Sequence, residues 1–136
     1  MTDTQDALER ALSFAEDYGL RAPIILAPMP GATPVPLSVA VTSGGGMGSC
    51  GVLLMTPDQI KSWVRDMRAS SNGTFQLNTW IPDPDPIRDQ QHEKEVRQFL
   101  GNWGPVVSET AGDVPLIDFS SQCEAMLEAG PPVISS

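Results

Sequence analysis

Two short segments carry residue types that could hold a ligand. In Ala27-Pro28-Met29-Pro30-Gly31 the prolines stiffen the backbone, and the glycine lets a flat group approach with no Cβ in the way. Asn78 offers both an amide donor and a carbonyl acceptor. Together these groups suit a planar heterocycle with an apolar face and a polar edge. The same residues also serve as a barrel-rim turn and a strand-end asparagine, and their types alone leave both readings open.

Other candidates carry less. Gly46-Met47-Gly48-Ser49-Cys50-Gly51 matches GxGxxG letter for letter. That fingerprint must follow a strand and open a helix, so that the helix N-terminus meets a pyrophosphate. Here a helical pattern precedes it and Val52-Leu53-Leu54-Met55 intervenes before the next cap, which favours a strand with close backbone packing. No Gly-Lys-Ser/Thr follows, so a P-loop is excluded. His92, the only histidine, stands among Gln90, Gln91, Glu93 and Lys94 and reads as a solvated surface residue. Asp83 and Asp85 alternate with prolines and keep a loop wet without the spacing of oxygen ligands. Cys50 and Cys123 form no CxxC pair, so free, packed thiols are expected and no metal site. Trp63 and Met67 fall at core positions of a helix, while Trp80 lies just past a strand end.

The elements that must position these residues alternate. Residues 4–18 place Leu8, Ala11, Leu12 and Ala15 on one helical face, with Thr4 as cap and Gly19 as stop. Residues 23–27 form an apolar run without alternation, as a parallel strand covered on both faces requires. Thr33 can cap, and Pro34 open, a helix that turns Leu37, Ala40 and Val41 inward and stops at Gly44. A glycine-rich strand at 47–49 precedes the capping box Thr56-Pro57-Asp58-Gln59 and a helix with Ile60, Trp63, Val64 and Met67 inside.

A third strand, 75–80, runs into Pro82, Pro84 and Pro86, which impose a rigid loop. A polar helix from about 87 to 100 turns Val96, Phe99 and Leu100 toward a core and pairs Glu93 with Arg97 on its solvent side. A loop follows, with a short strand expected at Val106 and Val107. Asp118 then caps a helix with Phe119, Cys123, Met126 and Leu127 on one face, closed by Gly130-Pro131, and residues 132–136 read as a further parallel strand.

This order predicts an α/β fold with a parallel sheet, either an open doubly wound sheet or a barrel segment. A complete (β/α)8 barrel needs about 250 residues, so 136 would supply about half of one. Such a piece would leave strand edges and apolar faces uncovered and should want a partner: a missing C-terminal half or a homo-oligomer.

Composition narrows the partners. Seventeen acidic against eight basic residues give a net charge of −9, which repels a phosphate backbone, so neither nucleic acid nor an anionic membrane is expected. The longest apolar stretch, 22–32, is broken by prolines and glycine and falls short of the roughly 18 residues of a membrane span. The polar start, Thr2 to Asp6, lacks a secretory pattern, which points to the cytoplasm.

Four blocks now become recognisable together: residues 23–34, residues 40–48 (Ala-Val-Thr-Ser-Gly-Gly-Gly-Met-Gly), Phe75-Gln76-Leu77-Asn78, and 119–136. In order and spacing they resemble the N-terminal half of the nitronate monooxygenase family, formerly called 2-nitropropane dioxygenases, which are FMN-dependent TIM-barrel enzymes. The resemblance implies the N-terminal portion of a (β/α)8 barrel in one partial domain, 1–136, with a lead-in helix at 1–20 and an insertion at 81–117. It implies that Ala27, Pro28, Met29 and Gly31 lie along the isoalloxazine of FMN, with Asn78 near its pyrimidine side and Ser135 beside them. The implied activity is oxidation of an alkyl nitronate or nitroalkane with oxygen, yielding a carbonyl compound and nitrite. The family's catalytic histidine is expected just beyond Ser136, and His92 does not match it. Flavin-dependent enoyl-thioester reductases share similar blocks, and a non-catalytic remnant that assembles through its strand edges is the third reading.

Overall fold

The computed structural model describes residues 3–84, 87–113, 115 and 117–136, with backbone alone at 3–5. The first helix begins at Asp3, so Thr4 falls within it rather than at its cap, and Asp85 and Pro86 of the proline loop lie outside the described residues. The chain divides into two compact units, Met1–Ile81 with Ile117–Ser136, and Pro82–Leu116.

The first unit contains three parallel strands, β1 (Gly48–Gly51), β2 (Phe75–Asn78) and β3 (Val133–Ser135), side by side in that order. Helices α1 (Asp3–Asp17), α2 (Val35–Ser43), α3 (Pro57–Ser70) and α5 (Phe119–Ala129) belong to the same unit, and α4 (Gln90–Leu100) to the second. The α/β alternation with a parallel sheet is therefore present.

The capping box forms as the sequence predicts. Gln59 N–H donates to Thr56 Oγ1, and Thr56 N–H donates to Gln59 Oε1. The helix it opens buries Ile60, Trp63, Val64 and Met67. These pack with Cys50, Val52, Phe75, Leu77, Ala125 and Met126 into one core, so Cys50, Phe75 and Leu77 mark the sheet face turned toward α3 and α5. Arg68 fastens the far end of this layer: its Nη1 and Nη2 donate to the carbonyls of Ala129 and Gly130 at 2.8 and 2.6 Å, and its guanidinium lies over Phe75. Gly130 closes α5 at φ +59°, the left-handed cap expected there. Asp118 caps the other end by accepting from Ser121 N–H.

Several expectations are corrected. Residues 23–27 do not form a strand covered on both faces. A single parallel bridge joins Ile25 to Met47, and Ile24 and Ile25 stay exposed. Met47 N–H donates to Ile24 O while Gly48 N–H donates to Thr74 O, so the bridge flanks the β1 edge away from β2. On α2 the buried residue is Ser38, with Leu37 and Ala40 exposed. Ser38 Oγ donates to Ser49 O at 2.7 Å and accepts from Ser49 N–H, so this helix meets β1 through a hydroxyl, with Val35 and Val39 packed on the core beside it. Of the predicted α1 face, Ala15 is buried while Leu8 and Leu12 are exposed. Leu127 on α5 is exposed, and Gln122 is buried in its stead.

In the second unit α4 starts at the Asp89 cap and buries none of its residues; Val96, Phe99 and Leu100 are exposed. Charge organises it instead: Arg88 pairs with Glu93 and Asp113, and Arg97 with Glu93. The Arg88 hydrogen bond holds the Glu93 carboxyl below its ordinary range. No strand forms at Val106 and Val107, and Val106 is almost fully exposed.

Candidate functional site

The carboxyl ends of the strands set the geometry. The ladder aligns Gly51 of β1 with Asn78 of β2, and Asn78 with Ser135 of β3. Because side chains alternate, Gln76 and Asn78 share the face opposite the core, together with Ser49 and Ser135. Asn78 Nδ2 donates to Ser135 Oγ at 3.0 Å, and Ser135 Oγ donates to Gln76 Oε1 at 3.1 Å. Asn78 is half-buried, and its Oδ1 accepts no hydrogen bond among the described residues.

The proline-rich segment is seated against the same end. A Cβ on Gly51 would lie 2.7 Å from Pro30 N and 2.8 Å from Pro30 Cδ, so the missing side chain is the notch in which the Pro30 ring rests. Thr33 locks that contact. Its hydroxyl donates to Met29 O at 3.1 Å and accepts from Gly51 N–H, while its carbonyl accepts from Trp63 Nε1 at 3.2 Å. Thr33 therefore does not cap α2 with its side chain; Pro34 holds the cap position without a side-chain bond. Gly31 turns at φ +75° with open space where a Cβ would stand, and Met29 is 42% exposed.

The structure thus brings Ala27, Pro28, Met29 and Gly31 to the sheet end that carries Asn78 and Ser135, with Gly51 between them. Gly51, Thr33 and Gln76 were not among the sequence-level site residues. The GxGxxG spelling drew attention to Gly51 for another reason, and its last four residues, 48–51, are β1 itself. The signal for Gln76 was its two-residue spacing from Asn78.

This row consists of amides, hydroxyls and a thioether. It can orient a neutral hydrogen-bonding group, and none of these side chains ionises near neutral pH to take up a proton. Cys50 belongs to the opposite, core face, where burial pushes its thiol up to about 11. His92 is exposed on α4 of the second unit. Among the described residues, no three His, Cys, Asp or Glu side chains gather to hold a metal, and no helix is long and apolar enough to cross a membrane.

No protein-family model matches the chain. Its sequence is similar to nitronate monooxygenases: 38% identical over 85 residues to that of Paraburkholderia phytofirmans (62% of this chain, 22% of the relative); and 27% over 106 residues to that of Pseudomonas aeruginosa (76% and 28%). A probable nitronate monooxygenase of Bacillus subtilis is 33% identical over 70 residues (51% and 20%). The chain thus spans only 20–28% of the length of these relatives. Its fold matches part of a nitroalkane oxidase from Streptomyces ansochromogenes, with a TM-score of 0.69 at 23% identity, covering 91% of this chain and 35% of that one. FabK from Thermotoga maritima matches at 0.50 and 18% identity, over 90% and 42%. The architecture is that of a portion of a TIM barrel.

Proposed function

We propose, from this relationship to the N-terminal part of the nitronate monooxygenase family, that the chain forms one wall of an FMN site in an oxidoreductase acting on alkyl nitronates. When bound, FMN would supply the redox chemistry, taking electrons from the nitronate and passing them to oxygen. The products are a carbonyl compound and nitrite.

The residues present fit such a group. Ala27 to Gly31 offer a stiff, largely apolar ledge, with Met29 as a polarizable contact for the ring and open space above Gly31. Asn78 offers an Oδ1 that accepts no hydrogen bond among the described residues, and Ser135 holds its amide nitrogen. A nitronate is already deprotonated and needs no base; the base that a neutral nitroalkane would need to lose its α-proton is assigned to none of the described residues. The observation that carries the reading is the seating of Pro30 on Gly51, one ladder position from Asn78 and two from Ser135. It brings an apolar ledge and a polar edge to one sheet end.

Titrating the protein with FMN while following flavin absorbance and fluorescence, then measuring oxygen uptake with propyl nitronate, tests this. Saturable binding and nitronate-dependent uptake are expected. A colourless protein that FMN cannot reconstitute overturns it. Consumption of reduced nicotinamide with an enoyl thioester, without nitronate oxidation, would assign the same scaffold to enoyl-thioester reduction.

A further inference from the structure

Asn78 can present either end of its amide to a ligand, and the two ends have opposite hydrogen-bonding sense. What decides between them lies behind it. Gln76 is 8% exposed and stands two residues back on the same strand face. Its register partner on β1, Ser49, has a buried hydroxyl with no hydrogen-bond partner among the described residues, and the Gln76 amide makes its bond toward β3 instead. There its Oε1 accepts the Ser135 hydroxyl hydrogen at 3.1 Å. A serine hydroxyl has one hydrogen to give. Once it points at Gln76, Ser135 Oγ can only accept from Asn78, which it does from Nδ2 at 3.0 Å. That turns Asn78 Oδ1 outward.

We propose that Gln76 is a positioning residue. Through Ser135 it sets the Asn78 amide so that this site selects a ligand edge that donates a hydrogen bond. Resting on the flavin reading above, the matching edge is the imide N–H of the isoalloxazine pyrimidine ring, which lies between two carbonyls and donates while neutral. A carbonyl facing this N–H favours the protonated form, whereas an amide N–H there would favour the anion.

Two measurements test this on the full chain. In the flavin-free protein, exchange of the Asn78 side-chain amide hydrogens is read by nuclear magnetic resonance. The hydrogen held by Ser135 should be protected, and Gln76→Leu and Ser135→Ala should each speed its exchange about tenfold or more. Ser135→Thr, which keeps the hydroxyl, should not. In the FMN-loaded protein, the alkaline ionisation of the flavin imide is followed by absorbance. It should lie above that of free FMN and fall by about one pH unit in Gln76→Leu, a tenfold change in ionisation constant. Exchange and ionisation unchanged in Gln76→Leu would overturn the proposal, as would an imide ionisation below that of free FMN in the parent. Ser135→Ala cuts the same relay from its other side and gives the same readouts if Gln76→Leu fails to fold. Protection that responds as expected in a protein that binds no FMN would sustain the relay and remove the flavin reading.

Discussion

Replacing Gly51 by alanine tests the contact on which the site is built. The new Cβ would stand 2.7 Å from Pro30 N, whereas ordinary contacts begin near 3.4 Å. The obstructing atoms are a backbone nitrogen and a closed ring, so the segment must retreat by roughly 0.7 Å. Retreat stretches the Thr33 bonds to Met29 O and Gly51 N–H. Overpacking of this kind costs about 1–3 kcal/mol, so Gly51→Ala should lose about 2 kcal/mol in urea unfolding followed by tryptophan fluorescence. FMN binding should weaken with it. Gly104→Ala, where no described atom beyond the flanking residues lies within 4 Å of the added Cβ, should stay within about 0.5 kcal/mol of the parent. Gly51→Ala as stable as Gly104→Ala would refute the notch.

Thr33→Val keeps the shape and deletes the hydroxyl. It should cost about 1 kcal/mol and accelerate hydrogen exchange at Gly51 N–H, and unchanged exchange would count against the Thr33 link. Gln122 Nε2 donates to the carbonyls of Val52, Leu53 and Met55; Gln122→Leu leaves them without that donor and should cost about 1–3 kcal/mol in the same urea assay. The Cys50 thiol, pushed up to about 11 from an ordinary 9.0, predicts a pH dependence. Below pH 9 the thiol is protonated folded and unfolded, so its full contribution is present. As pH rises from about 9 toward 11 the unfolded chain loses the proton first, and stability falls. Urea midpoints across that range should decline less in Cys50→Ala; equal declines would show that the thiol is not the cause.

How far the sequence could be read depended on what each signal measures. The Thr56 capping box and the Ile60, Trp63, Val64 and Met67 spacing are local, and both appear as read. The Asp118 cap is local too. Apolar periodicity states which residues share a face, not whether another element covers it. Leu8, Leu12, Leu37 and Leu127 accordingly lie exposed on real helices. Part of what α2 and α5 bury is polar: Ser38 and Gln122 satisfy neighbouring backbone, and a hydrophobic pattern passes over them even where, as at Met126, it finds their apolar neighbours. For the site, residue types singled out the proline ledge and Asn78. The partnership of Gly51 with Pro30 and of Gln76 with Ser135 arises from register between distant segments, which no local pattern encodes.

That register has a kinetic corollary. Asn78 and Ser135 are 57 residues apart in the chain, so closing their bond is a non-local step whose loop-closure entropy makes it slower than helix formation within each segment. A prosthetic group able to grip both side chains would recognise just the fully assembled sheet. Its affinity would therefore appear as added resistance to unfolding, growing with the logarithm of its concentration.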